Sequence, residues 1–286
     1  MAENIWEDVV EGIAAKARAD TGAEGDYRDE EGFLCCGKCH TRKEGEIAVQ
    51  DRTIRVPHMC KCESEARAKQ EAEAKAAAFR QECERLRKDG ITDPSYLSQN
   101  FTQDDNRNSK ISDVCRRYVD HWPEMKADNI GILFYGGVGT GKSFLACCIA
   151  NALIDKQVRA SVTNFPRILN KLQGFGEDKQ AFLDKMSRYD LLVIDDLGVE
   201  RDTSYSVEQV FNVIDARSRT GKPLIVTTNL SLADLQKPPS LGYARIYDRI
   251  LEMCPIRLKL TGSSRRTQNA EERRDKAKRL LGLGRT

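Results

Sequence analysis

The stretch GGVGTGKS, from Gly136 to Ser143, decides the fold of this chain. It matches the pattern G-x-x-x-x-G-K-[ST], in which a glycine-rich turn brings backbone N–H groups close to phosphate oxygens. An apolar run, GILFY at 131–135, precedes it, and a helical pattern, FLACCIANAL at 144–153, follows it. This order of strand, turn and helix predicts an anion site at the helix N-terminus. The alternative is an ordinary turn before a helix, and the flanking patterns argue against it.

Two side chains of this stretch have specific predicted roles in binding ATP. Lys142 should reach the β- and γ-phosphates, and the hydroxyl of Ser143 should ligate Mg²⁺. The backbone around them should enclose the phosphates. The predicted nucleotide-binding residues are Gly136, Gly137, Val138, Gly139, Thr140, Gly141, Lys142, Ser143 and Phe144.

Composition excludes some classes of protein and leaves others open. The 286 residues include 46 Lys and Arg against 44 Asp and Glu, a net charge of +2, so any basic surface must be local. No run of eighteen apolar residues predicts a transmembrane helix. The acidic N-terminus, MAENIWEDVVEG, lacks a signal-peptide layout. We therefore expect a cytoplasmic protein without a membrane partner.

Apolar runs and helical patterns alternate from residue 131 onward. This alternation predicts an α/β fold, in which helices cover both faces of a parallel sheet. The expected strands are 131–135, 158–163, 190–194, 223–228 and 256–260.

Two carboxylates end the buried strand pattern LLVIDD at 191–196. Ligands of open α/β sheets lie at the carboxyl ends of strands, so these acids should face the phosphates. Asp195 should hold Mg²⁺ through water, and Asp196 should orient the attacking water. Glu200 is a rival for the role of Asp196. The alternative is a strand that simply ends in solvated acids.

A polar amide, Asn229, follows the next strand pattern, PLIVTT at 223–228. At the carboxyl end of a strand, this amide can position the nucleophilic water against the γ-phosphate. Lys142, Asp195, Asp196 and Asn229 are therefore the predicted catalytic residues.

Four cysteines near the N-terminus have the spacing of a zinc site. Cys36 and Cys39 form C-x-x-C, and Cys60 and Cys62 form C-x-C after twenty intervening residues. Four thiolates suit tetrahedral Zn²⁺, with a small hairpin between the two pairs. Such a closed site would be structural, because the segment is too short to build its own core.

Three neighbours of these cysteines, Cys35, His40 and His58, could replace one of the four ligands. Two other interpretations remain open for the cluster. One is a redox-active C-x-x-C, although no thioredoxin-like pattern surrounds it. The other is a set of buried thiols without a ligand.

The remaining N-terminal sequence predicts two helices. Residues 3–18 place apolar side chains on one helical face, which would pack within a small domain or dock a partner protein. Residues 63–88 are rich in helix-forming Ala, Glu, Lys, Arg and Gln, which predicts a charged helical linker. The predicted domains are 1–63, the partner-binding zinc domain; 64–94, the linker; and 95–286, the ATPase.

Several stretches together resemble the DnaC/DnaI-type bacterial or phage replicative helicase loaders and their IstB-like AAA+ relatives. They are VIDDLGVE, IVTTNL, RIYDRI at 245–250 and GSSRR at 262–266. The segment CGKC…CKC with its charged linker is similar to the zinc-binding N-terminal regions of some loaders. The resemblance implies an AAA+ P-loop domain after a small zinc domain, and it makes Asn229 a sensor 1 residue.

The resemblance also implies roles for arginines. Arg249 matches the arginine finger that such proteins insert into a neighbouring subunit's ATP site, and Arg245, one turn earlier, is its rival. Arg266 matches the last position of G-x-S-x-R and is expected to contact nucleotide as a sensor 2-like residue. Arg265 occupies a position where the family often has an aromatic residue.

The function that the resemblance implies is ATP-dependent helicase loading in DNA replication. The expected partners are a DnaB-type helicase hexamer, single-stranded DNA and further copies of the chain in a head-to-tail oligomer. Hydrolysis of ATP would control release of the helicase. The alternatives are an IstB-like transposition ATPase and a zinc-dependent DNA-binding regulator whose ATP site is vestigial.

Overall fold

The computed structural model of the chain describes residues 23–49, 52–173, 179–198, 203–281 and Leu283. Contacts divide the chain into two compact units, Met1–Phe79 and Arg80–Thr286. The division falls inside one long helix, α1 (Lys61–Gly90), whose last turns belong to the larger unit. The domain boundaries after residues 63 and 94 remain predictions.

The smaller unit contains short antiparallel strand pairs. The first two strands pair with each other, as do the next two, whose register places Glu44 opposite Pro57. Among the residues that the structure describes, this unit buries few apolar side chains. They are Phe33, Leu34, Cys35, Cys36 and Cys60. The strands are β1 (Tyr27–Arg28), β2 (Leu34–Cys35), β3 (Glu44–Val49) and β4 (Arg52–Pro57).

A parallel sheet forms the centre of the larger unit, as the alternating pattern predicts. Its strands are β5 (Ile132–Gly136), β6 (Ala160–Asn164), β7 (Leu191–Leu197), β8 (Leu224–Thr228) and β9 (Ile256–Leu260). They lie in the order β6-β7-β8-β5-β9, and all neighbouring pairs are parallel. Strand β8 therefore lies between the strand before the glycine-rich loop and the strand that ends in the two acids.

Helices surround this sheet on both faces, which confirms the predicted α/β class. Among the described residues, no helix combines the length and the apolar character needed to cross a lipid bilayer. The helices are α2 (Pro94–Leu97), α3 (Ser109–Asp120), α4 (Trp122–Ala127), α5 (Lys142–Ile154), α6 (Phe165–Gln173), α7 (Lys179–Arg188), α8 (Ser204–Arg219), α9 (Leu232–Gln236), α10 (Leu241–Met253) and α11 (Arg265–Leu280).

The core consists of two apolar layers, one on each face of the sheet. Side chains alternate along each strand, so Ile132 and Phe134 pack on one face and Leu133 packs on the other. Helices α3 and α5 cover the first face, and α6, α8 and α10 cover the second. This double burial explains why the strands are almost continuously apolar.

Cys83, Leu86 and Gly90, in the last turns of α1, are buried within the larger unit. Phe79, earlier in the same helix, is exposed. A Cβ atom at Gly90 would collide with the carbonyl of Ala160, and the Ser161 hydroxyl donates a 2.9 Å hydrogen bond to the Gly90 carbonyl. These contacts anchor Gly90, and with it the start of the segment that follows α1, beside β6.

Candidate ATP site and cysteine cluster

The glycine-rich loop runs from the end of β5 to the start of α5, and Gly141 caps the helix. Gly139 and Gly141 have φ angles of 76° and 102°, values that favour glycine. A Cβ atom at Gly139 would collide with Ser264, and one at Gly141 would collide with the guanidinium of Arg265. Glycine therefore permits both the turn and the close approach of the segment that begins α11.

Lys142 lies in the first turn of α5 and is 4% exposed. Its ammonium donates hydrogen bonds of 3.0 and 2.7 Å to the carbonyls of Gly136 and Gly137, and one of 2.8 Å to Oδ1 of Asn229. Burial lowers the pKa of Lys142, although the carboxylates of Asp196 and Asp195 act in the opposite direction. The structure thus brings together two of the predicted catalytic residues, 87 positions apart in the sequence.

Asp195 is 4% exposed at the carboxyl end of β7. Its Oδ1 accepts a 2.6 Å hydrogen bond from the hydroxyl of Thr227, and its Oδ2 accepts one of 2.9 Å from the hydroxyl of Tyr96. Neither donor is among the site residues predicted from the sequence. Thr227 could have been suspected, because it belongs to the strand pattern before Asn229, but Tyr96 lies in a turn-rich segment that carries no motif.

Asp196 has a φ of 56° at an irregularity in the β7–β8 ladder between Ile194 and Leu197. Its N–H donates a 3.0 Å hydrogen bond to the Thr227 hydroxyl, which stabilises this unusual conformation. Burial and the neighbouring Asp195 raise the pKa of Asp196, while the charge of Lys142 lowers it. The two consecutive acids therefore have different surroundings, since each oxygen of Asp195 accepts a hydrogen bond from a hydroxyl and Asp196 lines the cavity.

A cavity of about 470 Å³ lies over the glycine-rich loop, within the range of small-molecule sites. Predicted site residues that line it are Val138, Gly139, Gly141, Lys142, Ser143, Phe144, Asp196, Asn229 and Arg266. The other lining residues were not predicted from the sequence: Gln99, Gln103, Asp105, Arg107 and Arg265. Phe101, close to Gln99 in the chain, lies under the guanidinium of Arg116 at 4.7 Å.

Arg265 and Arg266 both reach this cavity, and they face different parts of it. The N–H of Arg265 donates a 2.9 Å hydrogen bond to the carbonyl of Gly139, and its Nε donates one of 2.9 Å to Asp105. Burial acts to raise the pKa of Asp105, but the hydrogen bonds from Arg265 and the N–H of Arg107 outweigh it and lower the pKa. Arg266 lines the same cavity as Lys142 and Asp196, and its charge lowers the pKa of both.

The donor set near Lys142 fits Mg²⁺. Ser143 offers a hydroxyl from the first turn of α5, and Asp195 offers a carboxylate at the end of β7. Oxygen donors of this kind are those that Mg²⁺ prefers, together with phosphate oxygens and water. The residues present are therefore suited to a Mg²⁺–nucleotide complex.

The smaller unit brings together the four cysteines that the sequence analysis named. The sulfurs of Cys36, Cys39, Cys60 and Cys62 all lie within 4.8 Å of one another, with Cys62 3.5 Å from Cys36 and 3.3 Å from Cys60. A tetrahedral Zn²⁺ with Zn–S bonds of about 2.3 Å requires sulfur separations of roughly 3.8 Å. The cluster therefore fits Zn²⁺ in both donor type and spacing.

Local structure holds the two cysteine pairs in this arrangement. A turn from Cys36 to Thr41 contains the first pair, and the second pair lies at the start of α1. The hydroxyl of Thr41 joins them, because it lies 3.0 Å from the sulfur of Cys39 and accepts a 3.0 Å hydrogen bond from the N–H of Lys61.

The three rival ligands lie outside the cluster. The thiol of Cys35 donates to Asp29, the Nδ1 atom of His40 lies 3.2 Å from the Tyr27 hydroxyl, and Nδ1 of His58 lies 3.1 Å from the Met59 carbonyl. Their contacts with other groups leave the four predicted cysteines as the candidate ligand set.

Comparison with known proteins identifies the family. The family described as IstB-like ATP binding protein matches residues 100–273, more than half of the chain. The chain belongs to the IstB-like ATP-binding family. The family's matched region contains the glycine-rich loop, both acids, Asn229, both arginines of α10 and the first two arginines of α11, Arg265 and Arg266.

Known relatives of this IstB-like protein include replicative helicase loaders. It is 29% identical to DnaC of Escherichia coli K12 over 139 residues, 47% of this chain and 54% of DnaC. It is 28% identical to DnaI of Bacillus subtilis over 149 residues, 48% of this chain and 47% of DnaI. The chain thus spans about half the length of these curated relatives. A longer match, 27% identity over 234 residues, joins it to the phage-like element PBSX protein XkdC of B. subtilis.

Solved structures of loaders share the fold of the IstB-like unit. The crystal structure of the DnaC helicase loader matches with a TM-score of 0.50 and 26% identity, covering 59% of this chain and all of that one. A crystal structure of DnaI has the same TM-score at 23% identity and covers 62% of this chain and 95% of that one.

Two arginines of α10 in the IstB-like unit are candidates for a finger in trans, and neither lines its own cavity. Arg249 is half-buried and forms a 2.7 Å ion pair with Asp215, which also pairs with Arg219. Arg245 is exposed, and within the described part of the chain it has no ion pair or hydrogen bond. The structure therefore shows one candidate held against α8 and one directed to solvent.

Two sequence-based predictions lie outside the described residues of this IstB-like protein. Glu200, the rival of Asp196, is one of them, and the amphipathic helix at 3–18 is the other.

Proposed function

We propose that this protein is an ATP-dependent loader of a ring helicase in DNA replication. It binds a DnaB-type helicase hexamer and single-stranded DNA, and hydrolysis of ATP controls release of the helicase. The smaller unit holds zinc and binds the helicase. The larger unit assembles head-to-tail with its copies.

One observation carries this proposal. The ammonium of Lys142 contacts the side-chain oxygen of Asn229, and both residues line one cavity together with Asp196. The similarity to DnaC and DnaI supports the loader function, because both names describe replicative helicase loaders. The cysteine cluster supports a second, separate binding task.

Each residue of the proposed ATP site has a separate role in hydrolysis. Lys142 would bind the β- and γ-phosphate oxygens, and Ser143 and Asp195 would hold Mg²⁺ directly or through water. When bound, Mg²⁺ would supply positive charge that stabilises the charge developing on the phosphates. Asn229 and Asp196 orient the attacking water.

The loader function can be tested on circular single-stranded DNA that carries a short annealed strand. A preformed helicase ring cannot thread onto a closed circle, so displacement of the strand should require the full chain, ATP and the helicase together. Strand displacement by the helicase at the same rate without the protein would contradict the proposal.

Replacing Lys142 by alanine should weaken binding of ATP by about 10–100-fold, because a charge-assisted contact contributes about 1.5–3 kcal/mol. Hydrolysis and helicase loading should be lost. Titration with a fluorescent ATP analogue measures the affinity. Lys156→Ala is the matched control, since that lysine is exposed just after α5 and its ammonium contacts Asp120 and the Val119 carbonyl. Equal ATP affinity in both variants would contradict the proposal that ATP binds in the cavity beside Lys142.

A transposition ATPase is the second candidate function, because the family's own description is IstB-like. Its ATP site would be built from the same residues. Capture of a transposase instead of a helicase by the full chain would favour this candidate.

A further inference from the structure

The carboxylate of Asp195 has a hydroxyl donor on each oxygen, and the two donors come from different parts of the fold. Thr227 belongs to β8, the strand beside Asp195. Tyr96 belongs to α2, the short helix that follows α1, and lies 99 positions away in the sequence. One donor is therefore part of the sheet, and the other is outside it.

The direction of these hydrogen bonds follows from counting hydrogens. The Thr227 hydroxyl accepts the N–H of Asp196 at 3.0 Å, so its single hydrogen is donated to Oδ1 of Asp195 at 2.6 Å. The Tyr96 hydroxyl likewise has one hydrogen, directed to Oδ2 at 2.9 Å. A tyrosine hydroxyl is un-ionised at neutral pH, so this hydroxyl is a donor.

The segment that carries Tyr96 is held on three elements of the ATPase. Ile91 forms a parallel bridge with Val162 of β6, and Asp93 forms a 2.7 Å ion pair with Arg167 of α6. Asn151 of α5 donates hydrogen bonds of 2.8 and 2.9 Å to the carbonyls of Tyr96 and Gln99.

This attachment gives the ring of Tyr96 a defined position. The same segment continues into Gln99, which lines the nucleotide cavity. Tyr96 therefore connects the chain after α1 to the carboxylate at the end of β7.

We propose that Tyr96 is a positioning residue that orients the Asp195 carboxylate for Mg²⁺. This inference rests on the proposed ATPase function. Hydrogen bonds to a ligating carboxylate fix its orientation, so their loss lowers metal affinity without removing the ligand. Because Tyr96 lies outside the sheet, the metal site depends on the segment that joins α1 to the ATPase.

Replacing Tyr96 by phenylalanine removes the hydroxyl and keeps the ring. In wild type, Mg²⁺ should strengthen binding of a fluorescent ATP analogue relative to binding in EDTA. In the Tyr96→Phe variant, the increase in affinity caused by Mg²⁺ should be about tenfold smaller, while the affinity in EDTA stays unchanged. The Mg²⁺ concentration that half-saturates hydrolysis should rise by a similar factor. Thr227→Val should shift both readouts in the same direction.

Tyr189→Phe is the matched control for this test. Its hydroxyl also donates a 2.9 Å hydrogen bond to a carboxylate, that of Asp89, and it does not contact Asp195. This variant should keep the wild-type response to Mg²⁺. Equal losses in the Tyr96 and Tyr189 variants would mean general loosening of the fold and would overturn the inference.

The remaining outcomes separate this inference from the proposed function. A wild-type response to Mg²⁺ in Tyr96→Phe overturns the role of Tyr96 and leaves the ATPase intact. Absence of any Mg²⁺-dependent binding in the wild-type protein overturns the proposed ATPase and this inference together.

Discussion

Replacing Cys39 and Cys60 together by serine is expected to release one zinc ion per chain and to unfold the smaller unit. Serine hydroxyls do not ionise as thiols do, so two of the four ligands are lost. Binding of structural Zn²⁺ contributes about 10–16 kcal/mol in small zinc domains. The few buried apolar residues of this unit cannot replace that contribution. Elemental analysis measures the zinc, and limited proteolysis measures the unfolding.

Cys35→Ser is the matched control for this experiment. Cys35 is buried beside the first cysteine pair, but its thiol contacts Asp29 and lies outside the cluster. The control should keep its zinc, and all variants should bind ATP normally because the ATP site belongs to the other unit. Full zinc retention in the Cys39/Cys60 double variant would exclude the proposed ligand set.

Arg249→Ala is expected to lower DNA-stimulated hydrolysis by about 10³–10⁵-fold, the contribution of an arginine finger in other NTPases. ATP binding should remain near normal, because Arg249 does not line its own cavity. The variant should also fold, since Asp215 keeps its ion pair with Arg219. Steady-state hydrolysis with and without single-stranded DNA measures the effect.

Mixed assemblies test whether Arg249 acts in trans. Mixing Arg249→Ala with Lys142→Ala protein should restore part of the activity, because an intact P-loop can then face an intact arginine. Arg245→Ala is the matched comparison on the same face of α10. If Arg245→Ala shows the large loss instead, the exposed arginine is the finger and the ion pair of Arg249 with Asp215 is structural. Failure of rescue in assemblies that contain both variants would exclude action in trans.

The strand positions and the phosphate loop could be predicted from the sequence because they depend on local patterns. Apolar runs bounded by turns mark strands that are buried on both faces, and the observed strands lie within a few residues of the predicted ones. The pattern around Lys142 specifies its own turn and helix, since glycine and a helix N-terminus act over a few residues. The same holds for Asp195, Asp196 and Asn229, each placed at the end of a strand.

The spacing of Cys and His residues in the sequence is not sufficient to identify the zinc ligands. Seven Cys and His side chains near the N-terminus have suitable chemistry, and spacing leaves Cys35, His40 and His58 open. In the structure these three lie outside the four-cysteine cluster, since Cys35 faces Asp29, while Tyr27 and Met59 contact the two histidines. Such contacts depend on how the strands pair, which the cysteine spacing does not encode.

The sequence by itself determined the α/β class, the phosphate loop and the acids and amide at the strand ends, because each depends on near neighbours in the chain. Only the tertiary structure decided that β8 lies between β5 and β7, that Tyr96 reaches Asp195 and that Arg265 pairs with Asp105 across 160 positions. The apolar pattern of a strand is the same whichever strand lies beside it. Hydrogen bonds between distant segments form only where packing brings them together, so no local pattern records them.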